Sequence, residues 1–290
     1  MNMSVPVLFL IPTLIWGSTW LAITWQLGTV APEVSVAYRF GLGSVILAAW
    51  CRLTGIPLRV PLREHRYLAL FGATLFGLNY VAVYWAERYV ASGLVAVVFS
   101  TIVFMSPIGM RIAYGTPLSP RTFVAAAFGV CGVALLFLPE LDAARHGGGA
   151  ALGVLFALVA TAIATLGNLL AVRNHEAGLA TFSATAWGMF YGALTATALA
   201  LATGVHWSFE ATVGYVASLV YLSLLGSVVA FGAYLTLLKR VGAARTAFVG
   251  VATPVIALLL STLFEGYRWT PLAGLGVALA VFGNWLALRK

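Results

Sequence analysis

The sequence predicts an all-α integral membrane protein of ten transmembrane helices, arranged as two inverted five-helix repeats. Three observations lead there. Of 290 residues, 62% are hydrophobic and only 8% are charged, an apolar share that no water-soluble domain buries. The apolar residues form ten runs separated by short charged or Gly/Pro-rich breaks, and a spanning helix needs roughly 20 mostly apolar residues. Five helices per half is an odd number, so a repeated half sits upside down relative to the first. The composition excludes soluble enzymes, secreted disulfide scaffolds and nucleic-acid partners, although the formal net charge is +8.

Segment one, residues 5–26, lacks the Lys or Arg of a signal-peptide n-region and is expected to be a permanent helix. Pro12 withdraws an N–H from its ladder and permits a bend, while IWGSTW sets Trp16 and Trp20 on one face near Ser18 and Thr19. Segment two, 33–52, carries Arg39 a turn or two from its start, where the guanidinium is expected to snorkel outward as an anchor. Segment three, 67–86, places Tyr80 and Tyr84 on one face beside Asn79, with Gly72 and Gly77 below. Tyr84 and Trp85 also suit an interfacial aromatic belt. Segment four, 91–111, holds Ser100 and Thr101; segment five, 121–138, is apolar.

The hydrophilic break PELDAARHGGG, 139–149, reads as a periplasmic linker between a first half, 1–138, and a second, 150–290. Segment six, 150–172, aligns Thr161, Thr165 and Asn168 on one face, and segment seven covers 181–203. Segment eight, 212–238, supplies Ser227, Phe231 and Tyr234, with Gly226 and Gly232 permitting close helix approach. In segment nine, 246–264, Pro254 frees the Gly250 carbonyl and marks a hinge or cavity wall beside Thr253. Segment ten is 271–288.

With the N-terminus inside, all of the 16 Lys and Arg except Arg39, Arg88, Arg145 and Arg268 fall on the cytoplasmic side, as the positive-inside rule expects. Both termini are then cytoplasmic. An offset of about 151 lays 87–98 on 238–249 and matches Gly115 with Gly266 and Gly132 with Gly283. The matched turns carry opposite charge bias, which is the inverted-repeat signature of a transporter. Between such halves a binding site lies near the midplane, lined by polar and aromatic side chains. The expected substrate contacts are Tyr80 and Tyr84 with Asn79, Trp16, Trp20, Ser100, Thr165, Asn168, Phe231 and Tyr234. Pro12, Gly77, Gly250 and Pro254 are the expected gating positions. The pocket should suit amphipathic solutes.

His65, His146, His175 and His206 all fall in predicted loops, and no Asp, Glu or Lys sits at a span centre. Glu33, Glu87 and Glu265 lie near outer ends, within reach of water. An intramembrane ion is costly and kept chiefly for function. No metal, no cofactor and no enzymatic centre is therefore expected, and movement down the substrate gradient is favoured over obligatory proton antiport. A membrane-embedded transferase would need acid, base or metal clusters, and a passive channel would lack saturable flux. Cys51 and Cys131 sit in apolar runs and are expected to be small buried hydrophobes.

IWGSTW, VAYRFGLGSVILA, VYWAERYVASG, LGSVVAFGAYLTLLKRVGAAR and ATPVIALLLSTLF resemble the EamA-type members of the drug/metabolite transporter superfamily over essentially the whole chain. Within it the chain is most similar to bacterial amino-acid exporters, including the YddG type that handles aromatic ones. The resemblance implies a ten-helix, multi-pass transporter of the bacterial inner membrane with a central cavity, exporting amino acids or related metabolites; a monomer is compatible with the sequence, which does not fix the oligomeric state. Drugs or other metabolites are the alternative cargo. The sequence departs from the family pattern where Thr116 and Tyr267 follow Gly115 and Gly266 in place of glutamate. Val103 also stands where the first-half proline matching Pro254 is usual, with Pro107 a turn later.

Overall fold

The computed structural model describes residues 3–144, 149–246 and 248–288, and every regular element among them is helical. In order these are α1 (Val5–Thr24), α2 (Pro32–Leu53), α3 (Leu62–Glu87), α4 (Ser92–Tyr114), α5 (Pro120–Ala144) and α6 (Ala150–Glu176). They continue with α7 (Thr181–Ala202), α8 (Val213–Leu237, helical onward to Thr246), α9 (Phe248–Phe264) and α10 (Pro271–Leu288). Eight are long and apolar enough to cross a membrane; the apolar stretches Pro120–Leu136 of α5 and Phe248–Phe264 of α9 are shorter. Helix boundaries follow local chemistry: Pro32, Pro120 and Pro271 open their helices, where a missing N–H costs nothing. Gly115 and Gly266 follow α4 and α9 with φ of 69° and 68°, a left-handed conformation that suits glycine.

Several boundaries differ from the sequence reading. α3 starts at Leu62 and α6 runs to Glu176, because their end turns are helical yet charged, which hydropathy reads as loop. His65 and His175 therefore lie within helices and not in loops. For the same reason α5 continues to Ala144 and the basic 239–245 stretch is helical. Cys51 is buried but Cys131, on α5, is exposed and not a buried hydrophobe. His146 and Arg145 lie outside the described residues, as do Arg289 and Lys290. Segment four is interrupted: helix Ser92–Phe99 gives way at Ser100 and Thr101 before Ile102–Tyr114 resumes. There the Ser100 hydroxyl donates to the Val97 carbonyl at 2.7 Å and the Thr101 hydroxyl to Val98 at 2.6 Å, back-bonds that compete with the ladder.

Two other stretches are wound more loosely, as π-helix: Ala73–Leu78 within α3 and Tyr221–Val229 within α8. Each is held by a polar side chain. Asn79 donates its amide to the Leu75 carbonyl at 2.9 Å, and the Ser227 hydroxyl donates to the Leu222 carbonyl at 3.1 Å. Such segments are rare and cluster at functional sites.

Packing brings helices of the two halves together. α5 lies against α10, and α2 against α7. At the first contact a Cβ on Gly132 would sit 2.6 Å from the Gly276 carbonyl oxygen, and one on Gly276 would sit 2.6 Å from the Gly132 carbonyl oxygen. Gly283 meets Ala125 and Gly129 further along, so the two helices run antiparallel with backbones touching, as small residues allow in membranes. The remaining contacts come in matching sets: α1 packs on α8 and α9, and α6 packs on α3 and α4.

Candidate functional site

A hollow of about 170 Å³ opens between α3, α6, α7 and α8. Its mouth is formed by exposed His175 and Thr181 with Leu179; deeper in, Phe71, Phe76, Ala184 and Thr185 form buried walls. Asn168, Phe231 and Tyr234, all expected from the sequence, line it, while Asn174 and His175 are lining residues that the sequence reading missed. The missed pair lies in the last turn of α6, beyond the predicted end of that span; an unbroken helical register through 176 would have placed both on it. Asn174 is 1% exposed, and its Nδ2 has no partner among the described residues, so the wall offers an unused donor. More voluminous grooves, such as that along Val213 to Leu225, lie on exposed apolar faces suited to lipid.

Aromatic rings continue inward from this hollow. Trp16 packs on Phe231 and Tyr234, with ring centroids 5.1 and 5.2 Å apart, and its indole N–H donates to the Gly226 carbonyl at 3.0 Å. Trp20 meets Phe99 edge-on at 5.4 Å. Tyr80 stands one turn beyond Phe76 on α3 and packs on Phe40 at 4.7 Å. Trp16 and Trp20 are one turn apart on α1, so the first ring group lies beside the hollow and the second one turn further along the helix.

Other predicted contacts are placed elsewhere. Tyr84 is fully buried and donates its hydroxyl to Gln26 Oε1 at 2.6 Å. Ser100 accepts from Asn284 Nδ2 at 2.8 Å and ties α4 to α10. Thr165 donates to the Thr161 carbonyl and packs against Gly109 of α4. Asn79 is occupied by the π-helical carbonyl of Leu75. Of the expected gating positions, Pro12 and Pro254 are buried within their helices, Gly77 abuts Thr195 of α7, and Gly250 faces open space.

The end opposite the mouth is closed by polar contacts. Glu265, at the end of α9, accepts from the Ser92 N–H at 3.1 Å, from the Ser92 hydroxyl at 2.6 Å and from the Ser261 hydroxyl. It thus places negative charge at the N-terminus of α4, where unpaired N–H groups and the helix dipole favour it. The Trp85 indole donates to Glu33 Oε1 at 2.9 Å. Three expectations fail here: Glu33 and Glu87 do not reach water, being 4% and 7% exposed, and Arg39 does not snorkel, being 3% exposed. The Trp85 indole meets Glu33 and the Tyr80 ring meets Arg39, contacts between spans that hydropathy cannot see. At the mouth end, Arg173 of α6 pairs with Glu64 of α3, its guanidinium 3.5 Å from the Tyr67 ring centroid. Among the described residues, no group of three or more His, Cys, Asp or Glu is placed to hold a metal.

Comparison with known proteins agrees with this arrangement. The model of the EamA-like transporter family matches residues 3–138 and again 151–289. The chain belongs to the EamA-like transporter family. Among relatives of this EamA protein, the uncharacterized inner membrane transporter YedA of Escherichia coli (strain K12) is 26% identical over 93% of this chain and 85% of its own. A probable amino-acid metabolite efflux pump of the same organism is 23% identical over 97% of this chain and 93% of its own. Protein PecM of Dickeya dadantii is 25% identical over 90% and 84%. A crystal structure of a protein 19% identical in sequence shares the fold, with a TM-score of 0.63 over 98% of this chain and 96% of the other. The EamA chain is accordingly a membrane transporter.

Proposed function

We propose that this EamA protein exports amino acids, aromatic ones included, and related small metabolites across the bacterial inner membrane. It works by alternating access between two inverted five-helix halves, 1–138 and 150–290. The observation that carries this is the hollow itself: open at one end, walled by Phe71, Phe76, Phe231 and Tyr234, and furnished with Asn168 and Asn174. Rings for an apolar side chain and amides for a polar head suit an amphipathic solute. At about 170 Å³ the hollow is smaller than the roughly 300 Å³ at which drug-sized sites begin, which favours small metabolites over drugs.

The alternating-access part is supported by the matching contact sets and by the two π-helical stretches, which fall near equivalent positions under the 151-residue offset. The relatives named as an inner membrane transporter and an amino-acid metabolite efflux pump support the compartment and the cargo. Facilitated movement is favoured because no carboxylate is among the described residues lining the hollow. Uptake of labelled phenylalanine, threonine and a nucleoside into everted vesicles tests the cargo: saturable uptake of the amino acids is expected. Uptake of the nucleoside alone would overturn this reading.

A further inference from the structure

At the closed end, a basic and an acidic side chain keep polar atoms without a partner. Arg39 and Glu87 are both more than nine-tenths buried, yet Nε and Nη1 of the first and both carboxylate oxygens of the second have no hydrogen-bond partner. The Arg39 guanidinium lies over the Tyr80 ring, 4.5 Å from its centroid, with Tyr84 and Glu87 one and two turns further along α3. Glu87 feels the charge of Arg39 and that of Glu265, but Glu265 is already engaged by Ser92 and Ser261. A pair kept only as a strut would close on itself, since a buried charge without a partner is strongly unfavourable. This pair stays open, with Arg39 over the ring of Tyr80, one turn along α3 from Phe76 of the hollow's wall.

We infer that Arg39 and Glu87 form the head-group subsite for an outgoing α-amino acid, Arg39 taking its carboxylate and Glu87 its ammonium. The inference rests on the export reading above and specifies its cargo. A zwitterion satisfies both charges together and adds no net charge to a region shielded from water, whereas a lone cation or anion leaves one of them unmatched. Tyr80 and Phe40, whose rings both face the Arg39 guanidinium, then flank the head group. In the conformation described here Tyr80 covers Arg39, so the head group reaches the subsite as the chain turns outward.

Flux of three probes in proteoliposomes tests this: phenylalanine, phenylalaninamide, which lacks the carboxylate, and 3-phenylpropionate, which lacks the ammonium. The wild-type protein should prefer phenylalanine over both by at least about tenfold, the scale of one charge-assisted hydrogen bond. Arg39→Gln should bring phenylalanine down to the level of the amide, and Glu87→Gln should bring it down to that of 3-phenylpropionate. Arg39→Lys should restore part of the first preference. Wild-type flux that ignores either missing group overturns the subsite alone, as does an equal loss for all three probes in a variant that unfolds at the wild-type temperature. A wild-type protein that moves none of the three but carries other metabolites overturns the amino-acid reading itself.

Discussion

Tyr80 and Tyr84 share one face of α3 but meet different surroundings. Tyr84 has no exposed surface and holds Gln26, so Tyr84→Ala should cost about 3–5 kcal/mol through lost packing alone. Tyr84→Phe should cost about 1 kcal/mol by leaving the Gln26 oxygen without its donor. Tyr80 is only partly buried; Tyr80→Ala should lower transport severalfold with a smaller loss of stability. Thermal unfolding of the purified variants beside their initial flux checks both statements, and equal unfolding temperatures for the two Ala variants would reject the distinction. Helical spacing shows that the two rings align. It cannot show that Gln26, on the turn after α1, closes over one of them, because that contact joins residues 58 apart in sequence.

At the level of helices, all ten apolar runs of the sequence are helical, since length and apolarity are properties of a single segment. Their interruptions were harder to read. Nothing in LFGLNYVAVYW or VYLSLLGSVV marks a π-helix; at the first, Gly188 and Gly192 of α7 pack closely on Phe71 and Phe76, a fit between helices that neither segment records. Pro107, the obvious breaker in α4, lies inside intact helix, and the break falls instead at Ser100 and Thr101. Asn79→Leu, which removes the donor to Leu75, should destabilise by about 1–2 kcal/mol and reduce transport, read by denaturation in detergent and by flux. The α5–α10 contact makes a sharper demand. With backbone atoms 2.6–2.7 Å from the Cβ that Gly276 lacks, Gly276→Leu should force the helices apart and cost about 1–3 kcal/mol or more. An unchanged melting temperature would mean that the two helices do not touch in the membrane.

Across the whole molecule, the two ends differ in kind: Ser92, Ser261 and Glu265 knit α4 to α9 at one, and the hollow enters at the other. With the Ser92 and Ser261 hydroxyl oxygens 3.2 Å apart, cysteines at both positions in a chain lacking Cys51 and Cys131 should form a disulfide on oxidation and stop transport. Reductant should restore it; continued flux with the bond formed would show that this end need not open. Reporters fused after Lys290 and within 59–66 should remain cytoplasmic and one within 143–148 should be exported, given the Lys and Arg distribution. A periplasmic C-terminus would overturn the inverted arrangement. The hollow itself was legible in part: Asn168, Phe231 and Tyr234 could be chosen because polar or aromatic groups at mid-span have little reason to face lipid. The burial of Arg39 and Glu87 depends on contacts between spans, and no single span records it.

The interruption of α4 at Ser100 and Thr101 has no equal in α9, which continues unbroken through Thr253 and Pro254. If the halves trade shapes during the cycle, this mismatch is a blueprint of the state not seen. α4 straightens, α9 bends at Pro254, and the entrance migrates to the far side of the membrane. On the proposed cycle the two halves would act as mould and cast of each other, and the proline that looks idle in one state would become the elbow of the next. Amide hydrogen exchange around 250–254 should then rise under conditions that favour the outward form, while that around 100–103 falls.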